Sequence, residues 1–162
     1  MDTDLTIVIV EDNENDARLL ELAFRAIGRK TPIQMVEDGG TAIEYLRGSG
    51  KYEDRVAFPF PNVLFVDLKM PKVGGFEVLR WLKEHPDCAV MPTMVFSSSN
   101  TAEDVKLAYE LGANGYLMKP ATFDDLKAML RSTLDFWQWC CKPMLPKKCD
   151  SKDSHSVRAL SP

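Results

Sequence analysis

The stretch Val63 to Gly75, VLFVDLKMPKVGG, restricts the fold of this chain more than any other. Its run of apolar residues, Val63, Leu64, Phe65 and Val66, leaves no polar face and reads as a short strand covered on both sides. The run stops on Asp67, and a carboxylate at the end of a buried strand is costly unless it has a partner or a task. Met70-Pro71 and Gly74-Gly75 then interrupt the pattern and start a helix. Open α/β sheets gather their chemistry at such a place, just beyond the carboxyl ends of parallel strands.

The remaining chain repeats this arrangement. Leu5 to Val10 is an apolar, β-branched run that ends on Glu11-Asp12, and Asn13 to Gly28 follows as a helix with Ala17, Leu20, Ala23, Phe24 and Ile27 on one stripe. Pro32 to Val36 gives a second strand, and Thr41 to Leu46 a short helix opened by Gly39-Gly40. Gly48 to Asn62 fits no period and is long for a strand-helix connection, which makes it a docking surface or a tolerated insertion. After the third strand, Phe76, Leu79 and Leu82 form a helical stripe that His85-Pro86 ends. Pro92 to Phe96 is a fourth strand running into Ser97-Ser98-Ser99. Asn100 or Thr101 caps a helix with Val105, Ala108 and Leu111 inward and Gly112 as its stop. Gly115 to Met118 is the fifth strand, ending on Lys119-Pro120. The last helix starts near Thr122 and carries Phe123, Leu126, Leu130, Leu134 and Trp137.

Five strands alternating with five helices imply an α/β fold, a doubly wound parallel sheet with helices on both faces. With 162 residues, 45% of them hydrophobic, the chain is sized for one core. Residues 1–142 are expected to form that domain. Residues 143–162 are polar, prolyl and without apolar period, and are expected to be a disordered tail.

Composition excludes several functions. A net charge of −4 argues against nucleic-acid binding, which needs a basic face. No apolar run approaches membrane-spanning length, and the acidic N-terminus is a first strand rather than a secretory signal. The four cysteines, Cys88, Cys140, Cys141 and Cys149, are therefore expected to be reduced thiols in a cytoplasmic protein. No paired spacing makes Cys140, Cys141, Cys149 and His155 a metal site.

In a parallel sheet the strand ends share one edge, so Glu11, Asp12, Asp67, Ser97 and Lys119 should be neighbours. Three carboxylates repel one another unless a cation joins them, and an all-oxygen set with few protein ligands suits Mg²⁺. Asp67 could then attack phosphorus and form an acyl phosphate, with the metal and Lys119 stabilising the phosphoryl oxygens and Ser97 bonding to the transferred group.

These residues carry a resemblance. IVIVED, LFVDLKMP followed by Gly75, Ser97 at a strand end, and GANGYLMKP together resemble the receiver domain of two-component response regulators, over roughly Leu5 to Trp137. The resemblance implies a flavodoxin-like sheet of order 2-1-3-4-5. By position, Asp67 resembles the phosphoacceptor, Asp12 a direct Mg²⁺ ligand and Glu11 a ligand acting through water. The Lys69 backbone carbonyl matches a third protein ligand, Ser97 the switch hydroxyl, Tyr116 the switch aromatic and Lys119 the phosphate-pairing lysine. The resemblance also implies a cis bond between Lys119 and Pro120. Glu11 stands where Asp is commoner, Ser97 where Thr is, and Gly74 where Asp is frequent; none of these departures removes a required group.

The longer 48–62 loop, AYELGANGYLMKP and the aromatic last helix are similar to single-domain regulators of bacteriophytochrome-type sensor kinases. The resemblance implies a non-enzymatic signalling role: a sensor histidine kinase or phosphotransfer protein charges Asp67, and a downstream protein target reads the changed surface of the fourth and fifth strands and their helices. Phe136, Trp139 and Cys140 cannot all share the inner stripe with Trp137, so a homodimer through the C-terminal helix, or docking of a partner there, is a further expectation, against the chain folding back over them. Two rival readings are a constitutive binding module of the same fold and an aspartyl-nucleophile phosphatase. The second would want an acid two residues after Asp67, where Lys69 stands.

Overall fold

Strand alternation divides the interior into two layers. The computed structural model describes residues 5–29 and 32–149. Its strands are β1 (Ile7–Val10), β2 (Ile33–Val36), β3 (Val63–Val66), β4 (Thr93–Ser97) and β5 (Gly115–Met118), all parallel, in the order β2-β1-β3-β4-β5. Successive side chains point to opposite faces. Ile7, Ile9, Val63, Phe65, Met94 and Phe96 therefore meet α1 (Glu14–Ala26) and α6 (Phe123–Trp139). Val8, Val10, Leu64, Val66 and Val95 meet α2 (Gly39–Arg47), α3 (Gly75–Lys83), the short α4 (Pro86–Ala89) and α5 (Ala102–Glu110). This is the doubly wound parallel α/β architecture that the alternation predicts, in the flavodoxin-like strand order that the resemblance implies.

Capping side chains set where helices begin. Asn13, Asp38, Thr101 and Thr122 each accept hydrogen bonds from backbone N–H groups of the first turn. A cap contributes about 1 kcal/mol. Burying one leucine such as Leu130 or Leu134, both fully enclosed, contributes about 1.5–3 kcal/mol, so packing holds α6 in place. The expected stripes are largely present. In α3 Val78 joins Leu79 and Leu82 as a buried residue, and Phe76 is only partly buried. Phe123 lies exposed in the first turn of α6. His85-Pro86 ends α3 and also starts α4, with Pro86 in the first turn, where its missing N–H costs nothing.

The 48–62 segment is a packed corner rather than a loose insertion. A 3-10 turn at Gly50–Glu53 buries Tyr52 against Tyr45 and Phe58, with ring centroids 4.9 and 5.0 Å away. The Tyr45 hydroxyl donates to the Pro59 carbonyl at 2.7 Å, and burial pushes its phenol up to about 12. Arg55 lies over the Tyr45 and Phe60 rings and donates to the carbonyls of Leu46 and Phe58, closing the end of α2. Gly48 supplies the left-handed residue, φ 67°, that ends that helix.

Three expectations are corrected here. Cys88 and Cys149 are not free thiols: they form a disulfide, with Cα atoms 5.9 Å apart, while Cys140 and Cys141 remain free. Sequence spacing could not reveal a pairing across 61 residues that only the fold brings together. Closing a loop of that length stabilises the fold by about 4 kcal/mol in the chain-entropy account. The beginning of the expected tail is also packed. Leu145 lies on the core, Cys149 is buried, and the Cys149 N–H donates to the Leu46 carbonyl at 2.9 Å. Residues 150–162 lie outside the described residues, as does His155. Finally, no cis peptide bond occurs among the described residues, so Lys119–Pro120 is trans. The trans form is favoured even before proline, and from it the Lys119 ammonium still reaches the acids described below.

Candidate functional site

β1, β3, β4 and β5 end side by side. The ladder bonds fix their ends: the N–H of Asp67 donates to the Val10 carbonyl at 3.0 Å, that of Glu11 to Val36 at 3.0 Å, and that of Lys119 to Ser97 at 2.9 Å. Close packing of α3 places its first residue directly over Asp67. A Cβ added at Gly75 would overlap the Asp67 carbonyl oxygen and stand 2.9 Å from its carbonyl carbon, so glycine is what allows the approach.

At this rim the Lys119 ammonium is surrounded by acid. It donates to Glu11 Oε2 at 2.7 Å, Asp67 Oδ2 at 2.8 Å and Asp16 Oδ2 at 2.8 Å, and it lies 5.6 Å from the centre of the Phe96 ring. Burial alone would lower its pKa, but the bonds to Asp16, Asp67 and Glu11 outweigh that and hold it above the ordinary lysine value. Glu11 is shifted upward: burial favours its neutral form more than Lys119 and the Asn13 N–H lower it. Glu11 and Asp67 are buried and Asp12 is exposed, and one carboxylate oxygen from each falls within 4.8 Å of the others. This all-oxygen set, with an open side at Asp12, fits a hard divalent cation.

Ser97 is fully buried and its Oγ accepts from the Ser99 N–H at 3.2 Å. The Ser99 hydroxyl donates to Asp104 at 2.5 Å, which with Thr101 and the ammonium of Lys69 at 3.7 Å keeps the Asp104 carboxyl below its ordinary range. Tyr116 is half-buried and donates from its hydroxyl to the Ser99 carbonyl at 2.9 Å. Its phenol is pushed upward, chiefly by burial. Lys69 has an exposed side chain, and its N–H donates to Asp67 Oδ1 at 3.2 Å.

Thus Glu11, Asp12, Asp67 and Lys119 converge, with Ser97, Tyr116 and Lys69 on the adjoining strand ends and loops. Asp16 was missed, because looking at strand ends does not reach one turn into α1. Its signal was its place in the first turn of the helix that begins directly after Glu11-Asp12. Asp104 was missed because it reads as an ordinary acid in the first turn of α5, favourable toward the helix dipole.

Residues 7–131 match the response regulator receiver domain, and the chain belongs to that family. It is 34% identical over 131 residues to the response regulator Rcp1 of Synechocystis, a match covering 81% of this chain and 87% of that one. It is also 34% identical over 134 residues to the probable methanogenesis regulatory protein FilR2 of Methanothrix harundinacea, covering 81% and 82%. The crystal structure of the Mn(2+)-bound form of Rcp1 superposes with a TM-score of 0.76 at 33% identity, over 86% of this chain and 99% of that one. That of the phosphorylated cyanobacterial phytochrome response regulator RcpA gives 0.79 at 31% identity, over 88% and 100%. The chain is therefore a signalling protein of the two-component class. No described helix is long and apolar enough to cross a membrane.

Proposed function

We propose that this chain receives a phosphoryl group on Asp67 from a sensor histidine kinase or a phosphotransfer protein and passes the signal on through protein contacts. An Asp67 carboxylate oxygen attacks phosphorus, the histidine nitrogen leaves with the bonding electron pair, and an acyl phosphate forms. A Mg²⁺ ion held by Glu11, Asp12, Asp67 and the Lys69 carbonyl would supply the positive charge that lets several carboxylates and a phosphoryl group share one pocket. Lys119, 2.8 Å from Asp67 Oδ2, exchanges part of its carboxylate pairing for the new phosphoryl oxygens.

Ser97 then rotates to donate its hydroxyl to the phosphoryl group and releases the Ser99 N–H. The loop carrying Ser99 shifts, Tyr116 follows, and the face formed by β4, α5, β5 and α6 changes its affinity for a target. Similarity to phytochrome response regulators favours a light-sensing kinase as the donor. The reading places the chain in the cytoplasm. It also assigns self-association to the end of α6, where Phe136 is 60% and Trp139 90% exposed. Sedimentation of a Phe136→Ala/Trp139→Ala double variant should show loss of the dimer.

The single observation that supports the reading most is the hydrogen-bonded Lys119 between Asp67 and Glu11 on the carboxyl rim of the sheet. Its test is labelling by acetyl phosphate. Wild type should take up phosphate only with Mg²⁺, and Asp67→Asn should not. Equal labelling of Asp67→Asn would move the acceptor elsewhere. No labelling of wild type by acetyl phosphate or a kinase would favour a constitutive binding module.

A further inference from the structure

An ammonium group has three N–H bonds to donate. At Lys119 all three are committed, to Glu11 Oε2 at 2.7 Å and to Asp67 Oδ2 and Asp16 Oδ2 at 2.8 Å each. A phosphoryl group arriving on Asp67 can be met by this lysine only if one acid lets go. The three are not equally placed to do so. The side chains of Glu11 and Asp67 are 1% and 7% exposed, and that of Asp16 is 38% exposed. Glu11 is held a second time, by the Asn13 N–H on Oε1 at 3.1 Å, and Asp67 by the Lys69 N–H on Oδ1 at 3.2 Å. Both also belong, with Asp12, to the oxygen set that fits a divalent cation, and Asp16 does not. The Asp16 backbone is fixed, because its N–H donates to the capping oxygen of Asn13 at 3.1 Å. Only its side chain is free to turn, and a carboxylate turned toward water there stays near the positive end of the α1 dipole.

Resting on Asp67 as the acceptor, we infer that Asp16 is a positioning residue that stands in for the phosphoryl group: it holds one N–H of Lys119 until a phosphoryl oxygen displaces it. With acetyl phosphate as donor, an Asp67 oxygen bonds to phosphorus and acetate leaves with the electron pair of the broken P–O bond. The phosphoryl oxygens then accept from Lys119, and Asp16 turns to solvent without exchange of a proton. Before that step its charge opposes phosphorylation twice. It competes for the lysine, and it repels the anionic donor. A neutral amide at position 16 weakens both effects, while Glu11 and Asp67 keep the ammonium at the rim. Asp16 thus sets how readily the site accepts phosphate, although it touches neither the metal set nor the acceptor oxygen.

The test uses the full chain with Mg²⁺. At low salt Asp16→Asn should be labelled by acetyl phosphate at least about fivefold faster than wild type, and it should bind beryllofluoride, a phosphoryl mimic, at least about fivefold more tightly. Asp16→Ala should move both quantities in the same direction. Near 1 M salt, where screening acts within about 3 Å, the difference in rate should narrow. A mere loosening of α1 would not respond to salt in this way. Glu21→Gln removes the same charge from an exposed turn of the same helix, where Glu21 pairs with Arg25, and should label at the wild-type rate. Labelling of Asp16→Asn and Asp16→Ala no faster than wild type, a gain shared by Glu21→Gln, or a gain indifferent to salt would each overturn the role of Asp16 and leave Asp67 as the acceptor. Absence of both labelling and beryllofluoride binding in wild type and variants alike would instead overturn the assignment of Asp67, and the role of Asp16 with it.

Discussion

At the carboxyl edge of the sheet, one ammonium holds Glu11, Asp16 and Asp67 within 2.7–2.8 Å, and polar groups are concentrated where apolar strands stop. At the amino edge, Tyr45, Tyr52, Phe58 and Arg55 interlock and a disulfide ties in the chain from beyond α6. The first edge keeps repelling charges together for chemistry. The second removes freedom from long connections. Each should therefore fail in its own way: the acidic rim under loss of its cation, the far edge under loss of a crosslink or an aromatic contact.

Replacing Lys119 with methionine should have the largest effect on stability. It leaves Glu11 and Asp67 facing each other, with side chains 1% and 7% exposed and no internal cation. A loss of about 3–5 kcal/mol is expected in urea unfolding. Added Mg²⁺ should recover much of it, whereas the same ion should do little for variants at the far edge. Next, Cys88→Ala should cost about 2–4 kcal/mol, independent of Mg²⁺ and equal to the effect of reduction on wild type.

Gly75→Ala connects packing with chemistry. The added methyl would push α3 from the Asp67 backbone, with about 1–3 kcal/mol of destabilisation and slower labelling by acetyl phosphate. The smallest effect is expected from Tyr45→Phe, about 1 kcal/mol for the hydrogen bond to Pro59. Here pH gives the sharper readout. The folded phenol titrates near 12 against 10.0 ordinarily, so the fold favours the neutral form. Its contribution is complete below pH 10 and disappears as the pH rises toward 12. The difference in stability between wild type and Tyr45→Phe should shrink across that interval. A constant difference would mean that the hydroxyl is not held as described.

What could be read in the sequence follows the same division. A strand ending such as VLFVD places its acid by counting, since parallel strands share one direction and their ends must meet. Glu11, Asp12, Asp67 and Lys119 were legible for that reason. Asp16 required knowing how the first turn of α1 faces the rim. The disulfide, the folded-back Leu145 and the aromatic corner were hidden because they are contacts between segments that have no periodic pattern. Cys88 and Cys149 become neighbours only after α4 and the end of α2 are in place.

The reactivity of Asp67 can be read directly. After incubation with acetyl phosphate and Mg²⁺, borohydride reduces an aspartyl phosphate to homoserine, which peptide mass spectrometry locates. The account predicts homoserine at position 67, dependent on Mg²⁺. Homoserine at 12 or 16, or none at any aspartate while phosphate is incorporated, would contradict it.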